Sequence, residues 1–448
     1  MSDWIKGTLA DTIASLDAGI SVNAEDRPHG AGEIGVLKTS AISGGAFLTE
    51  QNKAILLHEC RLVAEPVQAD SILVSRMNTP ALVGESCYVG EAHPTLFLPD
   101  RLWQLKSRDR AQLSMRWLSF VLQSADYRRY VEVHATGTSG SMKNLPKSKL
   151  LAFPVNYPAP AEQSVIAKIL DTLDTAIRQT EALIDKLKAV KQGVLHDLLT
   201  RGIDVNGQLR PPQSEAPQLY KASPLGWIPK EWDTQLIGAL LTDIEAGKSP
   251  SCSDTPAPSG SWGVLKVSAV HSDGFRSDQN KIVEHESLVN PAYEVHSGDL
   301  LITRANTPEL VGMACLVKDP QPKLMLCDKT LRLVVNCGIA SEEYLCLCLQ
   351  QPYIRSQIES SATGTSMSMK NISQHAIRNL LVSVAPLPEQ SEISARANTL
   401  ALRLQHEIAV LEKLRQQKAG LMDDLLTGRV RVTPLQDFVQ HAATLMEA

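Results

Sequence analysis

Along residues 162–200, apolar positions return at alternating steps of three and four. Ile166, Leu173, Thr180, Leu187 and Val194 stand seven apart, with Ile169, Ala176, Leu183 and Val190 between them. This spacing is a coiled-coil seam and predicts one long helix. A second run follows the same design, from Glu389-Gln390-Ser391 through Leu400, Leu404, Ile408, Leu411 and Leu414 to Asp424-Leu425-Leu426-Thr427, matching Glu162-Gln163-Ser164 and Asp197-Leu198-Leu199-Thr200. Each run starts beside a proline (Pro160, Pro388) and stops before a glycine (Gly202, Gly428), the punctuation expected of helix ends. Roughly forty residues at ~1.5 Å rise make a rod of about 60 Å. A single such helix reads as a core helix or a homodimer zipper. Two copies, each following a globular segment, predict an intramolecular antiparallel pair acting as a spacer.

The duplication extends well beyond the helices. Gly35-Val36-Leu37-Lys38 returns as Gly263-Val264-Leu265-Lys266, a displacement of 228 positions. The same displacement links Gln51-Asn52-Lys53 to Gln279-Asn280-Lys281, Arg76-Met77-Asn78-Thr79-Pro80 to Arg304-Ala305-Asn306-Thr307-Pro308, and Trp4 to Trp232. Ala135-Thr136-Gly137-Thr138 and Ser141-Met142-Lys143-Asn144 return 227 positions later as Ala362-Thr363-Gly364-Thr365 and Ser368-Met369-Lys370-Asn371. Within each half, short β-rich runs (71–74, 299–302) alternate with Gly, Pro and Asn, and a helical stretch (113–130, 341–360) precedes the Ala-Thr-Gly-Thr loop. The expected fold class is α+β: two similar globular domains related by internal duplication and separated by an antiparallel two-helix coiled coil. The expected boundaries are 1–159 for the first domain, 160–201 for its helix, 202–226 for a proline-bearing linker, 227–387 for the second domain, 388–428 for its helix and 429–448 for a tail.

Composition narrows the class without deciding it. The 448 residues exceed one ordinary core, and 43% hydrophobic with 21% charged is usual for a soluble globular chain. No apolar run reaches the ~20 residues of a membrane span, and Met1-Ser2-Asp3-Trp4 lacks a signal pattern, so no membrane partner and a cytoplasmic location are expected. Eight cysteines form no Cys-x-x-Cys pair, and no histidine or carboxylate spacing fits a ligand set, so no metal is expected. A net charge of −5 leaves room for a local basic face.

Enzyme-like fragments are weak. Ala246-Gly247-Lys248-Ser249 resembles the end of a phosphate loop, but Thr242 stands where its first glycine belongs and Pro250 follows where a helix should continue. Asn290-Pro291-Ala292-Tyr293 lacks the second proline of the amino-methyltransferase motif and reads as a turn. No catalytic residue is assigned. The stronger candidates are polar residues shared by both copies: Lys38 and Lys266, Lys53 and Lys281, Arg76 and Arg304, Asn78 and Asn306, Thr79 and Thr307, Thr136 and Thr363, Thr138 and Thr365, Lys143 and Lys370. Cations and amides of this kind grip phosphates and base edges, and adjoining glycines let backbone N–H groups approach a phosphate. Any one of them could equally be a solvated surface group. Residues 21–33, with Arg27 and His29, occupy the same slot as 249–261, with Cys252, Asp254 and the candidate Ser251 and beside the candidate Lys248, yet differ in sequence. In a polymer reader, shared residues hold the backbone and such unlike loops read sequence.

Pro160-Ala161-Glu162-Gln163 and Leu387-Pro388-Glu389-Gln390 leading to Asp-Leu-Leu-Thr, Gly226-Trp227-Ile228-Pro229 with Glu231-Trp232, the Gly247-Lys248-Ser249-Pro250 turn, and the Ala-Thr-Gly-Thr loops resemble, by their order along nearly the whole chain, a specificity subunit of a type I restriction–modification system. The resemblance implies a non-catalytic reader of double-stranded DNA whose two target-recognition domains contact the halves of a bipartite, asymmetric site. It implies docking of two DNA-adenine methyltransferase subunits and of restriction/translocase subunits, with S-adenosylmethionine, ATP and Mg on those partners and no cofactor on this chain. The alternatives are a coiled-coil scaffold without a DNA role, which leaves the duplicated polar loops unexplained, and a self-contained methyltransferase or nuclease, which lacks a cofactor loop.

Overall fold

A computed structural model describes residues 4–137, 141–366 and 369–432; the side chains of Thr365 and Ser366, and the expected tail beyond 432, lie outside what is described. The chain forms two compact units, 1–182 with 409–448 and 183–408. The boundaries therefore fall inside the long helices Pro160–Thr200 and Leu387–Leu426 rather than at their ends. Each helix has two halves that bury their apolar faces in different cores.

In the first unit, an antiparallel four-stranded sheet runs in the order Ser86–Val89, Ser71–Ser75, Leu102–Ser107, Ile13–Ala18. A second sheet joins Ala24–Glu25, Asn52–Ile55, Gly35–Leu37, His93–Phe97 and Pro66–Val67, with one parallel pairing. Strand Ser71–Ser75 is buried along its whole length because its two faces serve two cores: Ile72 and Val74 point into one, Leu73 into the other. The larger core collects Trp117 and Phe120 with Ile166 and Leu170 of the first long helix and Leu425 of the second. Asp174 meets Lys418 at 2.5 Å and Glu181 meets Arg415 at 2.7 Å, so the start of one long helix lies beside the end of the other, antiparallel.

The second unit repeats the plan. Leu241–Ala246, Thr330–Val335, Leu300–Thr303 and Ala314–Leu316 form its antiparallel sheet, and Asn280–Ile282, Gly263–Leu265 and Leu324–Met325 the smaller mixed one. Trp232 and Tyr344 are buried with Leu198 and Leu199 from the end of the first long helix and Ile393 from the start of the second. The pairing is again antiparallel.

The helical stretch expected in each half is two helices. Met115–Val121 gives way to Ala125–His134, where the Ser124 hydroxyl accepts from Tyr127 N. Glu342–Leu349 gives way to Pro352–Ser361, since a proline fits a first turn but not an interior.

The Glu-Gln pair that opens each long helix closes each unit. Gln163 is buried, accepting from Ser114 N and donating to the Gln112 and Pro158 carbonyls; Gln390 does the same with Ser341 N and the carbonyls of Ile339 and Ala385. Glu162 accepts from Trp4 Nε1 at 3.2 Å and pairs with Arg431, while Glu389 accepts from Trp232 Nε1 at 3.0 Å and pairs with Arg210. The helix-ending glycines adopt left-handed φ of +67° at Gly202 and +73° at Gly428 and lie against Trp232 and Trp4.

Residues 202–226, expected as a linker, are packed: Ile203, Ala216 and Tyr220 are buried, Arg210 reaches Glu389, and Tyr220–Ser223 pairs with Gly226–Pro229. The prolines there shape turns around buried anchors. In the seams, Val190 and Ile408 are 43% and 46% exposed, whereas Ile184 and Leu411 are buried. A straight helix drifts by ~20° per heptad, so a strict seven-residue register leaves the contact line within a few turns.

Candidate nucleic-acid interface

The strand pairing Val36↔Lys53, continued by Lys38 N donating to the Gln51 carbonyl, puts Lys38 and Lys53 on adjoining stretches of neighbouring strands. Both meet Asp26, at 3.0 and 3.3 Å. In the second unit, Val264↔Lys281 and the bond from Lys266 N to Gln279 build the same pairing, and Lys266 and Lys281 meet Asp254 at 3.1 and 3.2 Å. Hydrogen bonds from the two ammonium groups hold each aspartate below the usual carboxylate range. Each trio carries one net positive charge.

Those aspartates sit in the loops that look unlike; in the sequence Asp254 stands only as a residue that sets its loop apart, and Asp26 and the match between the two are missed. The signal was there: Asp26, Pro28 and Gly32 recur as Asp254, Pro256 and Gly260 at the displacement of 228, hidden among unmatched neighbours. Other loop residues differ. Arg27 pairs with Glu25 and Glu33, each at 2.7 Å, and the guanidinium, helped by Gly30 N, pulls the Glu33 carboxyl down to about 2. His29 faces Asn52 Oδ1 at 3.1 Å and Thr95 at 3.3 Å. Lys248 and Ser251 are exposed.

A second cluster forms around a short hairpin. Met77–Asn78 pairs with Lys143–Asn144, and Ala305–Asn306 with Met369–Asn371, placing Asn78 opposite Lys143 and Asn306 opposite Lys370. Asn78 and Asn306 each accept from the following threonine N–H, of Thr79 and Thr307, at 2.9 Å. Thr136 bonds Asn144 through both backbone groups, and Thr363 stands opposite Asn371. Lys143 and Lys370 donate to the carbonyls of Gly137 and Gly364, at 3.1 and 2.9 Å. A Cβ at Gly137 would lie 2.6 Å from the Met142 carbonyl and one at Gly364 2.7 Å from that of Met369, at φ of +151° and +146°, so the close crossing requires glycine.

The two units differ at the arginine. Arg76 is tied to Asn144 at 3.3 Å and lies 5.6 Å from the Trp103 ring centroid, whereas Arg304 is exposed with no ion-pair or side-chain hydrogen-bond partner among the described residues. Thr138 lies outside the described residues, and of Thr365 only the strand backbone is described. Lysine trio and hairpin are separate clusters: among the described residues, no side-chain bond joins them.

The enzyme-like fragments have structural roles. Gly247 lies against the Leu326 carbonyl and Ser249 donates to Asp328, as Gly19 lies against Leu98 and Ser21 donates to Asp100. Asn290 caps the turn Pro291–Tyr293. Among the described residues, no group of three or more His, Cys, Asp or Glu side chains could hold a metal, and no helix is long and apolar enough to cross a membrane.

Residues 2–189 match the family model described as the type I restriction modification DNA specificity domain. The type I restriction enzyme EcoEI specificity subunit of Escherichia coli is 37% identical over 184 residues, covering 41% of this chain and 30% of that protein. The MjaVIII specificity subunit of Methanocaldococcus jannaschii is 24% identical over 291 residues, covering 63% of each. The type I S subunit from M. genitalium superposes with a TM-score of 0.58 at 15% identity, covering 95% of this chain and 96% of that one. Over residues 2–189 the chain is similar to the type I DNA specificity domain. These curated alignments span between about one third and two thirds of the relatives' lengths. The matched family region takes in the first trio, the first hairpin and most of the first long helix; the likeness to the M. genitalium subunit extends the family fold to the second unit.

Proposed function

We propose that the chain is the non-catalytic DNA-recognition subunit of a type I system, reading a bipartite asymmetric target, one half per unit. One observation carries this reading: the same cationic trio and the same lysine-bearing hairpin are built twice, beside loops most of whose other side chains differ. In this reading the shared cations meet phosphates and the loops meet base edges. The long helices, each running from one unit into the other, set the spacing between half-sites; a rod of about 60 Å spans between one and two ~34 to 36 Å turns of duplex. Two DNA-adenine methyltransferase subunits and the restriction/translocase subunits dock on it and carry S-adenosylmethionine, ATP and Mg.

The test is co-expression with the neighbouring methyltransferase and mapping of methylated adenines by sequencing. The expected result is methylation at one two-part motif with a fixed gap, lost when this chain is omitted. Methylation that does not change when this chain is replaced by a relative with other loops would overturn the reading.

A further inference from the structure

The recognition loops are tied to the sheet at matching points. Ala54 N donates to the Arg27 carbonyl and Ile282 N to that of Thr255, each at 2.8 Å. The buried Asn52 accepts from His29 N at 2.8 Å, and the buried Asn280 from Ala257 N at 2.7 Å. Between the ties, side chains are free to differ: Arg27 against Thr255, His29 against Ala257, Ile34 against Trp262. A further matched tie is Asp26 on Lys38 and Lys53, repeated by Asp254 on Lys266 and Lys281. It is made by ion pairs to two lysines in each unit, the aspartates being 73% and 78% exposed. Exposed ion pairs contribute little to stability, so holding the core together does not account for building this one twice. It fixes where the loop's variable side chains are held relative to a pair of cations.

Resting on the DNA reading above, we propose that Asp26 and Asp254 are positioning residues for sequence recognition: each clamps its loop to two lysines, fixing the loop for one half-site while holding back part of the lysines' charge from the duplex. The proposal gives two effects of opposite sign. Removing the carboxylate loosens the loop, so discrimination at one half-site falls. It also frees a positive charge, so general affinity for DNA rises.

The experiment binds the full chain to a duplex library with a randomised centre and sequences what is retained. For Asp26→Asn, one half-motif is expected to flatten while the other persists, and Asp254→Asn gives the reciprocal pattern; Asp26→Glu keeps both. Persistence of the second half-motif reports a folded chain. On a duplex of unrelated sequence, either asparagine variant is expected to bind more tightly at low salt, with a log-affinity against log-salt slope steeper by about one. Lys38→Met with Lys53→Met, which removes the clamp from the other side, is expected to flatten the same half-motif with a shallower slope. Unchanged motifs in the asparagine variants, or equal loss of both half-motifs, would overturn the clamp while leaving DNA recognition standing. A wild-type chain that retains no motif would overturn the DNA reading and the clamp with it.

Discussion

Glu389 grips Arg210 through both carboxylate oxygens, at 2.5 and 3.1 Å, with each side chain only 9% exposed. The same carboxylate accepts from Ile203 N at 2.7 Å and from Trp232 Nε1. Glu389→Ala leaves a buried guanidinium with the longer Glu231 contact, at 3.6 Å, as its remaining ion pair among the described residues, and is expected to destabilise the second unit by up to about 3–5 kcal/mol. Glu162→Ala is expected to cost less, because Arg431 is 37% exposed and keeps more of its hydration. Calorimetry of the two variants, read as the shift of the affected transition, checks both size and order.

Gln163 and Gln390 are neutral counterparts of that design. Each satisfies one backbone N–H and two carbonyls in the interior. Replacing either by alanine leaves three groups without partners, at about 1–3 kcal/mol for each group that water cannot reach. Chemical denaturation should therefore register a larger loss for Gln390→Ala than for substitution of the exposed Glu392.

At the hairpins, Arg304→Ala is expected to weaken DNA binding and flatten its salt dependence by about one unit of slope, the signature of one lost phosphate contact. Arg76→Ala is expected to move the slope less, since that guanidinium is already engaged by Asn144 and Trp103. Titration of affinity against salt for both variants distinguishes them. Equal slopes would mean that the freedom of Arg304 does not matter for binding.

Glu33 offers a pH test. Its carboxyl is depressed to about 2 by Arg27 and Gly30 N, so its contribution to loop order is complete above the ordinary glutamate range and disappears as pH falls toward about 2. Side-chain NMR titration should show Glu33 still ionised at pH ~4, where an unperturbed glutamate (pKa ≈ 4.3) is largely protonated. Arg27→Gln should return the midpoint upward.

For the helices, one heptad inserted into both at matched positions is expected to lengthen the half-site gap by ~10 Å, roughly three base pairs, while insertion into one alone mispairs the seam. Methylome mapping of the matched variant would show the longer gap; an unaltered gap would remove the helices from the spacing role.

Much of this architecture was legible from the chain because duplication supplies its own control. A residue kept at the same displacement in both halves, such as Trp4 with Trp232 or Lys143 with Lys370, stands out from neighbours that drifted. The long helices were legible because their period persists over many turns. What stayed hidden depended on three-dimensional pairing. Asp26 and Asp254 look like solvated loop carboxylates until strand register brings two lysines to each. Residues 202–226 read as a linker because polar and proline content conceals three well-spaced anchors, Ile203, Arg210 and Tyr220. The seam was placed correctly as a stripe, but strict heptad counting assigned Val190 and Ile408 to it and missed the drift.

The last described residues, reaching Arg431 and Val432, complete a core that the first residues began, whereas the second unit is one continuous stretch of chain. During synthesis the second unit can therefore finish while the first waits, with Glu162 lacking its guanidinium partner until the ribosome has passed residue 431. A nascent chain that stalls late carries one finished module and one open one.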